Sequence, residues 1–225
     1  MLRPEQQSTM LVRSFTGGDF YENAYVVTCE RTEQAVVVDP GAAAHQIVDF
    51  LEEEDALVVA ILLTHAHLDH VEGLGVIRAI TDAPTYLHVA DRPLFDNMSA
   101  QAAMFGLSAP SLAPPERELE DGQIIPFGKF SFKVIHTPGH SPGHVILHAE
   151  KEGLALVGDL VFAGSVGRTD LPGGDYQALF QSIREHVLKM ADDTQLYTGH
   201  GPPTTVGQER STNPFLIPHF GGELA

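Results

Sequence analysis

Three histidines and one aspartate lie within six residues of this 225-residue chain, in the segment Thr64-His65-Ala66-His67-Leu68-Asp69-His70. The segment directly follows the apolar run 58–63, which predicts a buried strand. Imidazole nitrogens and carboxylate oxygens bind zinc and other transition metals, and so dense a cluster at the exit of a strand is hard to explain by packing. The segment therefore predicts a metal-binding loop.

Three further potential ligands, His140, Asp159 and His200, each come a few residues after another apolar run. If the corresponding strands end at one edge of the fold, these side chains converge on the metal-binding loop. Glycine or proline adjoins each of the three, which permits sharp turns and a close approach of the backbone to an ion. The chain therefore contains the ligands of a site larger than one loop.

The spacing of the ligands predicts how they divide between two ions. Residues two apart in an extended segment face the same way, so His65 and His67 can share an ion. If a helix begins just after His67, the aspartate and histidine that follow turn away and can serve a second ion. The expected ligands are His65, His67 and His140 for one ion, Asp69, His70 and His200 for the other, and Asp159 as a bridge between both.

Two other polar residues are candidates for supporting the site. Asp39 ends the apolar run 36–38 before Pro40-Gly41, and it either closes a turn or accepts the second N–H of a metal-bound imidazole. His144 is either an active-site neighbour or an ordinary core histidine. His136 and His148 remain open, and surface or simple hydrogen-bonded roles are expected for His45, His88, His186 and His219.

Composition excludes several classes of function. With 13 basic and 30 acidic residues the formal charge is −17, which opposes binding to nucleic acid or to an anionic membrane. The single cysteine, Cys29, cannot form an internal disulfide and fits a reducing compartment. The stretch Met1–Thr9 lacks the features of a secretory signal, and no later run approaches 18 apolar residues. We therefore expect a cytoplasmic protein.

The elements that must position these residues alternate between strands and helices. Helical spacing of apolar residues predicts helices over 44–51 and 176–190, whereas the proline-containing segment 91–117 predicts short helices and loop. This order is typical of a single α/β layered domain, residues 1–225, with helices covering the sheets. The expected strands are Met10–Phe15, Ala24–Thr28, Ala35–Val38, Val58–Leu63, Thr85–His88, Phe130–Ile135, His144–His148, Leu154–Val157 and Gln195–Tyr197.

The ligands in this order make the chain resemble the metallo-β-lactamase superfamily over nearly its whole length. The resemblance implies a four-layer αββα sandwich with the metal site at one edge of its two sheets. It is supported by the motifs Glu22-Asn23-Ala24-Tyr25, Val38-Asp39-Pro40-Gly41, Thr137-Pro138-Gly139-His140-Ser141-Pro142-Gly143-His144 and Gly199-His200-Gly201-Pro202.

Within that superfamily the chain is most similar to short bacterial glyoxalase II-like hydrolases. The segments that carry this similarity are 164–175, with Gly167-Arg168-Thr169-Asp170, and 209–216. Full-length glyoxalase II enzymes add a C-terminal helical region that holds glutathione, whereas this chain ends 25 residues after His200, so we expect no separate glutathione-binding domain. The di-zinc β-lactamases usually have cysteine where this chain has Asp159, so we do not expect antibiotic hydrolysis as the main activity.

The resemblance implies hydrolysis of hydroxyacylglutathione or a related small-molecule thioester. Two divalent ions, zinc in the first place and iron or manganese as alternatives, would lower the pKa of a bound water to about 7. Asp69 would orient the metal-bound hydroxide, and the leaving thiolate would need no general acid. Arg168 would pair with a substrate carboxylate, unless it pairs with Asp170 or Asp175.

Three other functions remain open at this point. An iron-dependent persulfide dioxygenase of the same superfamily would use His65, His140 and Asp159 to hold one iron. A lactonase would use nearly the same seven ligands. A metal-containing binding or sensor protein would use the ligands without turnover. Neither the acyl group, the thiol carrier, the native metal nor the oligomeric state follows from the sequence.

Overall fold

Two six-stranded β-sheets face each other in the computed structural model, which describes residues 8–217. The first sheet has the strand order β1-β2-β3-β4-β5-β6, in which β1 to β3 are antiparallel and β3 to β6 are parallel. Its strands are β1 (Met10–Gly17), β2 (Glu22–Cys29), β3 (Gln34–Val38), β4 (Leu57–Leu62), β5 (Thr85–His88) and β6 (Arg117–Leu119).

The second sheet brings the ends of three ligand-bearing strands together. Its strands are β7 (Ile124–Phe127), β8 (Phe130–His136), β9 (Val145–Ala149), β10 (Leu154–Gly158), β13 (Gln195–Thr198) and β14 (Thr204–Thr205), in the order β14-β13-β10-β9-β8-β7. A small hairpin, β11 (Val161–Phe162) and β12 (Ser165–Val166), lies outside both sheets. β8 and β10 are both antiparallel to β9, and β13 is parallel to β10. The carboxyl ends of β8, β10 and β13 therefore meet at one edge.

Helices cover the outer face of each sheet. Each longer helix is amphipathic: α1 buries Ala44, Ile47 and Leu51, and α6 buries Leu179, Phe180 and Ile183. The Asp175 carboxylate accepts a hydrogen bond from the backbone N–H of Ala178 and caps α6. The helices are α1 (Ala44–Glu53), α2 (Leu68–Val71), α3 (Leu74–Arg78), α4 (Arg92–Asp96), α5 (Met98–Met104), α6 (Tyr176–Glu185) and α7 (Val206–Thr212).

Three apolar cores separate the four layers. The first packs α1, α3 and α5 on the outer face of the first sheet, and it includes Ile47, Ile61 and Leu74. The second lies between the sheets, and the third packs α6 on the outer face of the second sheet. Because apolar side chains alternate between the faces of β2, β3 and β4, each of these strands contributes to two cores. The expected αββα sandwich is confirmed.

All nine expected strands are present, with ends that differ by at most two residues. The predicted strand at His144 begins at Val145, and the helix predicted to continue to residue 190 ends at Glu185, before a separate 3₁₀ turn. The unpredicted strands are β6, β7 and β14, each at a sheet edge, and the small hairpin. β6 and β14 have only three and two residues, and β7 contains Pro126, so their sequence signal is weak.

Helices long and apolar enough to cross a membrane do not occur among residues 8–217. The sequence-based expectations for His219 and for most of Met1–Thr9 fall outside the described residues.

Candidate metal centre

The metal-binding loop leaves β4 in an extended conformation and then turns into a helix. Asp39 accepts hydrogen bonds from the backbone N–H of Thr64 at 2.7 Å and from its hydroxyl at 2.6 Å, which holds the start of the loop. His67 remains extended, with φ −73° and ψ 152°, and α2 begins at Leu68. The chain therefore changes direction directly after His67, as the spacing of the ligands in the sequence predicted.

The first ligand group is His65, His67 and His140. One ring nitrogen from each lies within 4.8 Å of the others, and all three residues are buried. The Nδ1 atom of His67 is 2.8 Å from the Nε2 atom of His140. The structure thus brings together a residue pair separated by 73 positions, in the grouping that the spacing predicted.

The second group is Asp69, His70 and His200, whose ligand atoms also lie within 4.8 Å of one another. Oδ2 of Asp69 is 3.3 Å from Nε2 of His200 and 3.9 Å from Nε2 of His70. Asp69 and His200 are partly exposed, whereas His70 is fully buried. This group therefore borders the cleft that leads to solvent.

Asp159 lies between the two groups. One carboxylate oxygen, Oδ1, is 3.3 Å from Nε2 of His70, and the other, Oδ2, is 3.4 Å from Nε2 of His140 and 3.4 Å from Nε2 of His200. Its two oxygens thus face ligands of both groups, the position that a bridging carboxylate requires.

Hydrogen bonds at Nδ1 fix the orientation and tautomer of four imidazoles. Carbonyl and carboxylate oxygens can only accept, so each ring that contacts one there donates from Nδ1, and the neutral form of that ring has its lone pair on Nε2. The same holds for His65, because the Thr64 hydroxyl already donates to Asp39. The four contacts are His65 to Thr64 Oγ1 (3.0 Å), His70 to Asp39 Oδ2 (3.0 Å), His140 to the Arg168 carbonyl (2.8 Å) and His200 to the Phe20 carbonyl (3.0 Å).

The residues present fit a pair of divalent cations. The Nε2 atoms of His65 and His70 and the Oδ1 atom of Asp159 are buried and have no hydrogen-bond partner among the described residues, and the Nδ1 atom of His67 faces Nε2 of His140. Buried polar atoms are normally paired, so a cluster of unpaired lone pairs pointing at one another indicates a cation site. The mixed nitrogen and oxygen donors suit zinc, iron or manganese. Asp39, His65 and His70 also cluster, but the oxygens of Asp39 are taken by N–H and O–H donors.

Burial and charge affect the two groups differently. Burial lowers the pKa of His65 and lowers the pKa of His67 to about 3, so both rings are neutral ligands. Burial also opposes charging of His70, but Asp159 and Asp69 outweigh it and raise the pKa of His70 well above its usual value. Burial would raise the pKa of Asp159, yet His70 holds it well below its usual range. The second group is therefore built to hold positive charge.

Asp39 and His144 lie behind the ligands. Asp39, with φ 48° in the left-handed region, contacts both the start of the metal-binding loop and His70. The Nε2 atom of His144 accepts a hydrogen bond from the backbone N–H of Asp159 at 3.1 Å, and its Nδ1 contacts the Thr137 hydroxyl at 2.9 Å. His144 is therefore a neutral, fully buried residue that positions the backbone of Asp159.

Asp91 is a site residue that the sequence analysis missed. Its fully buried carboxylate accepts hydrogen bonds from the backbone N–H of Ala66 at 3.0 Å, the Ser141 hydroxyl at 2.7 Å and the backbone N–H of Gly143 at 2.5 Å. It thereby joins the loop of His65 and His67, from the first sheet, to the loop of His140, from the second. An aspartate in the irregular segment 91–117 carried no signal for this role.

The motif at residues 22–25 holds the His200 loop in place. The side-chain amide of Asn23 donates to the carbonyls of Thr198 at 3.1 Å and Gly201 at 2.7 Å, and the Tyr25 hydroxyl donates to Thr198 at 2.6 Å. Glu22 lies beside it, with a buried carboxylate whose pKa is raised well above the usual value by burial. The motif thus connects β2 to the end of β13.

Gly199 permits the close approach of this loop to the ligands. A Cβ atom at this position would lie 2.8 Å from Cε1 of His70 and would collide with Oδ1 of Asp159. Any side chain there would therefore displace the bridging carboxylate.

Arg168 lies at the rim of a cleft of about 300 Å³ that opens over the metal ligands. Its guanidinium is about half exposed and donates to both carboxylate oxygens of Asp170, at 2.7 and 2.8 Å. Its backbone carbonyl accepts the Nδ1–H of His140. The structure therefore pairs the side chain with Asp170, one of the two alternatives from the sequence, and gives the main chain of Arg168 a role that the sequence did not reveal.

Comparison with known proteins agrees with the fold. The family model described as "Metallo-beta-lactamase superfamily" matches residues 17–200. The hydroxyacylglutathione hydrolase GloC of Haemophilus influenzae is 38% identical over 186 residues, which cover 82% of this chain and 88% of that protein.

Two solved structures are similar over almost their full length. The BLEG-1 B3 metallo-beta-lactamase has a TM-score of 0.86 and 37% identity, covering 92% of this chain and 100% of that one. TTHA1623 in a di-iron-bound form has a TM-score of 0.83 and 42% identity, covering 91% of this chain and 100% of that one. The family model, these relatives and the arrangement of the ligands confirm the resemblance at the level of the superfamily: the chain belongs to the metallo-beta-lactamase superfamily of metallo-hydrolases.

Proposed function

We propose that this chain is a two-metal thioesterase that hydrolyses hydroxyacylglutathione or a related small-molecule thioester. The observation that carries the proposal is the set of imidazoles whose Nδ1 atoms are occupied by acceptors, so that their lone pairs converge on both sides of Asp159. The hydrolase GloC, at 38% identity, supports the choice of a thioester.

A pair of divalent cations held by these residues would supply a polarised carbonyl and a water of lowered pKa. Zinc is our first assignment because the donors are imidazole and carboxylate. The di-iron form of TTHA1623 makes iron the alternative to be measured.

Asp69 is the residue that we assign to orient the attacking water. Burial would raise its pKa, but His70 and His200 outweigh this and lower it, so the carboxylate is ionised and can accept a hydrogen bond. It lines the cleft together with Asp159 and His200. A thiolate is a good leaving group, so the cleft needs no separate proton donor for it.

Steady-state assays on protein of measured metal content test the proposal. We expect turnover of thioesters, with S-lactoylglutathione as the first substrate, and its loss in His65→Ala with the fold intact by circular dichroism. Asp96→Ala, which removes a surface carboxylate paired with Arg92, is the control and should keep full activity. One iron per chain with oxygen uptake on glutathione persulfide would instead assign the protein to the dioxygenases, and faster lactone hydrolysis would make it a lactonase.

β-Lactam hydrolysis is a second candidate because BLEG-1 is 37% identical over its whole length. A chromogenic cephalosporin assayed on the same preparation separates the two. Under the thioesterase proposal we expect kcat/KM for the cephalosporin to lie below that for the best thioester, and the reverse order would favour the second candidate.

A further inference from the structure

We propose that an apolar groove beside the metal centre binds the acyl chain of the substrate, so that the preferred thioester carries an unbranched apolar acyl group rather than a lactoyl group. This inference rests on the proposed thioesterase function and names the substrate class of the same site.

The groove lies between α4 and α5 on one side and the loops around residues 142 and 171–173 on the other. Its volume is about 420 Å³, within the range of sites that hold small molecules. Its walls are mainly aliphatic and aromatic, with Leu94, Ala100, Met104, Phe105, Pro142 and Leu171.

The groove is continuous with the cleft over the metal ligands. His67, Gln101, Phe105 and Leu171 line both spaces. The side-chain amide of Gln101 donates to the carbonyls of Ala66 at 3.0 Å and of Leu94, across the helices, at 2.9 Å, so it is held in place at the junction. A substrate whose reacting carbonyl lies over the ligands can therefore extend an attached chain into the groove.

Charge decides which part of the substrate enters. No Lys, Arg, Asp or Glu lines this groove within residues 8–217, and the histidine in its lining, His67, belongs to the first ligand group. The carboxylates and ammonium of a glutathione-like carrier would lose hydration there without gaining an ionic partner. Arg168 lies in the cleft instead. This separation places the acyl chain in the groove and the carrier on the side of Arg168.

Exposed side chains of the groove support an apolar ligand. Met104 is 60% exposed and Phe105 is 43% exposed, although both are large and apolar. Phe105 also contacts Phe20 of the β1–β2 turn, with ring centroids 5.2 Å apart, at the entrance to the cleft. Contiguous apolar surface of this kind marks a binding site when it adjoins a catalytic cleft.

Binding of non-hydrolysable thioethers to the metal-loaded protein tests the groove directly. Calorimetric titration with S-butylglutathione and S-octylglutathione compares chains that differ by four methylenes on the same carrier. A buried methylene tightens binding by up to about fourfold. Because the four additional methylenes are only partly buried, we expect S-octylglutathione to bind at least about tenfold more tightly than S-butylglutathione.

Two substitutions on α5 locate the effect. Ala100→Trp fills the groove and should abolish the gain with chain length. Ser99→Trp adds the same side chain at an exposed position that does not line the groove, and should retain the gain. Equal affinity for both thioethers, or equal behaviour of the two variants, would overturn the proposal. The proposal would also be overturned if a second copy of the chain covered the groove. Sedimentation would then show a dimer that Ala100→Trp dissociates.

Turnover separates this inference from the proposed function. We expect kcat/KM to be higher for S-octanoylglutathione than for S-lactoylglutathione, with the preference lost in Ala100→Trp. Hydrolysis of both without a preference would overturn the acyl site and leave the thioesterase in place. No hydrolysis of either would overturn both.

Discussion

The two ligand groups of the metal centre differ in charge and in access to solvent. The first consists of three buried imidazoles, of which the exposed fraction is 7% for His67 and less for the other two. The second combines the buried imidazole of His70 with the carboxylate of Asp69 and the imidazole of His200. The side chain of His200 is 26% exposed and borders the cleft. His67 and His140 of the first group also line the cleft, so the contrast is one of degree: the second group presents more of its surface to the substrate.

The groups also differ in what supports them. Asp91 ties together the two loops that carry the first group, while Asp39 contacts His70 of the second group and the start of the shared loop. Asp159 belongs to both. Substitutions of these three aspartates should therefore have separable effects on the two ions.

Removal of Asp159 should have the largest effect, because its oxygens face both groups. For Asp159→Ala we expect the content of both ions to fall and kcat/KM to drop by at least about a hundredfold. Metal analysis and steady-state kinetics measure this, with the surface variant Asp96→Ala as the control. Loss of only one ion would show that Asp159 is not a bridge.

Asp39→Asn should act on the second group more than on the first. The asparagine side chain has one oxygen where Asp39 has two, so it cannot accept all the hydrogen bonds that Thr64 and His70 donate to Asp39. The His70 ring therefore loses its orientation. We expect metal affinity to fall by about 10- to 100-fold, which competition with a chromophoric chelator measures. If the first ion were released more readily than the second, the assignment of Asp39 to His70 would be wrong.

Asp91→Asn should act on the first group and on stability. An amide offers only one acceptor where the carboxylate oxygens receive three donors, and an unpaired buried donor costs about 1–3 kcal/mol. Chemical denaturation of the metal-free protein should show a loss of that size, and titration should show weaker binding of one ion.

Ser141→Ala is the matched comparison for Asp91→Asn, because it removes only one of the three donors. We expect a loss smaller than that of Asp91→Asn in both measurements. Equal losses in the two variants would mean that the backbone contacts of Asp91 contribute nothing.

Arg168→Ala should have the smallest effect. Its ion pair with Asp170 is exposed to solvent and contributes little to stability, and its carbonyl, which orients His140, is retained. If its guanidinium meets an anionic carrier, KM should rise by up to about tenfold with kcat unchanged. Asp170→Ala, which frees the guanidinium, should not raise KM, and an equal rise in both variants would point to the loop rather than to charge.

The clustering of His65 with His67 and of Asp69 with His70 was predictable because it depends on local rules. Residue type defines a metal donor, the alternation of an extended segment places His65 and His67 together, and the helix after His67 turns Asp69 and His70 away. The apolar runs likewise predicted nine strands, because buried strands carry a strong periodic signal. Short strands such as β7, which has four residues and contains Pro126, lacked that signal.

The sequence by itself determined the donor atoms, the strands that carry them and the layered fold. Only the tertiary structure decided how the donors are oriented, because the acceptors behind His140 and His200 are the backbone carbonyls of Arg168 and Phe20. Every residue has such a carbonyl, so residue type cannot mark it. The same holds for Asp91 and for the apolar groove, since both depend on contacts between distant segments that no local pattern encodes.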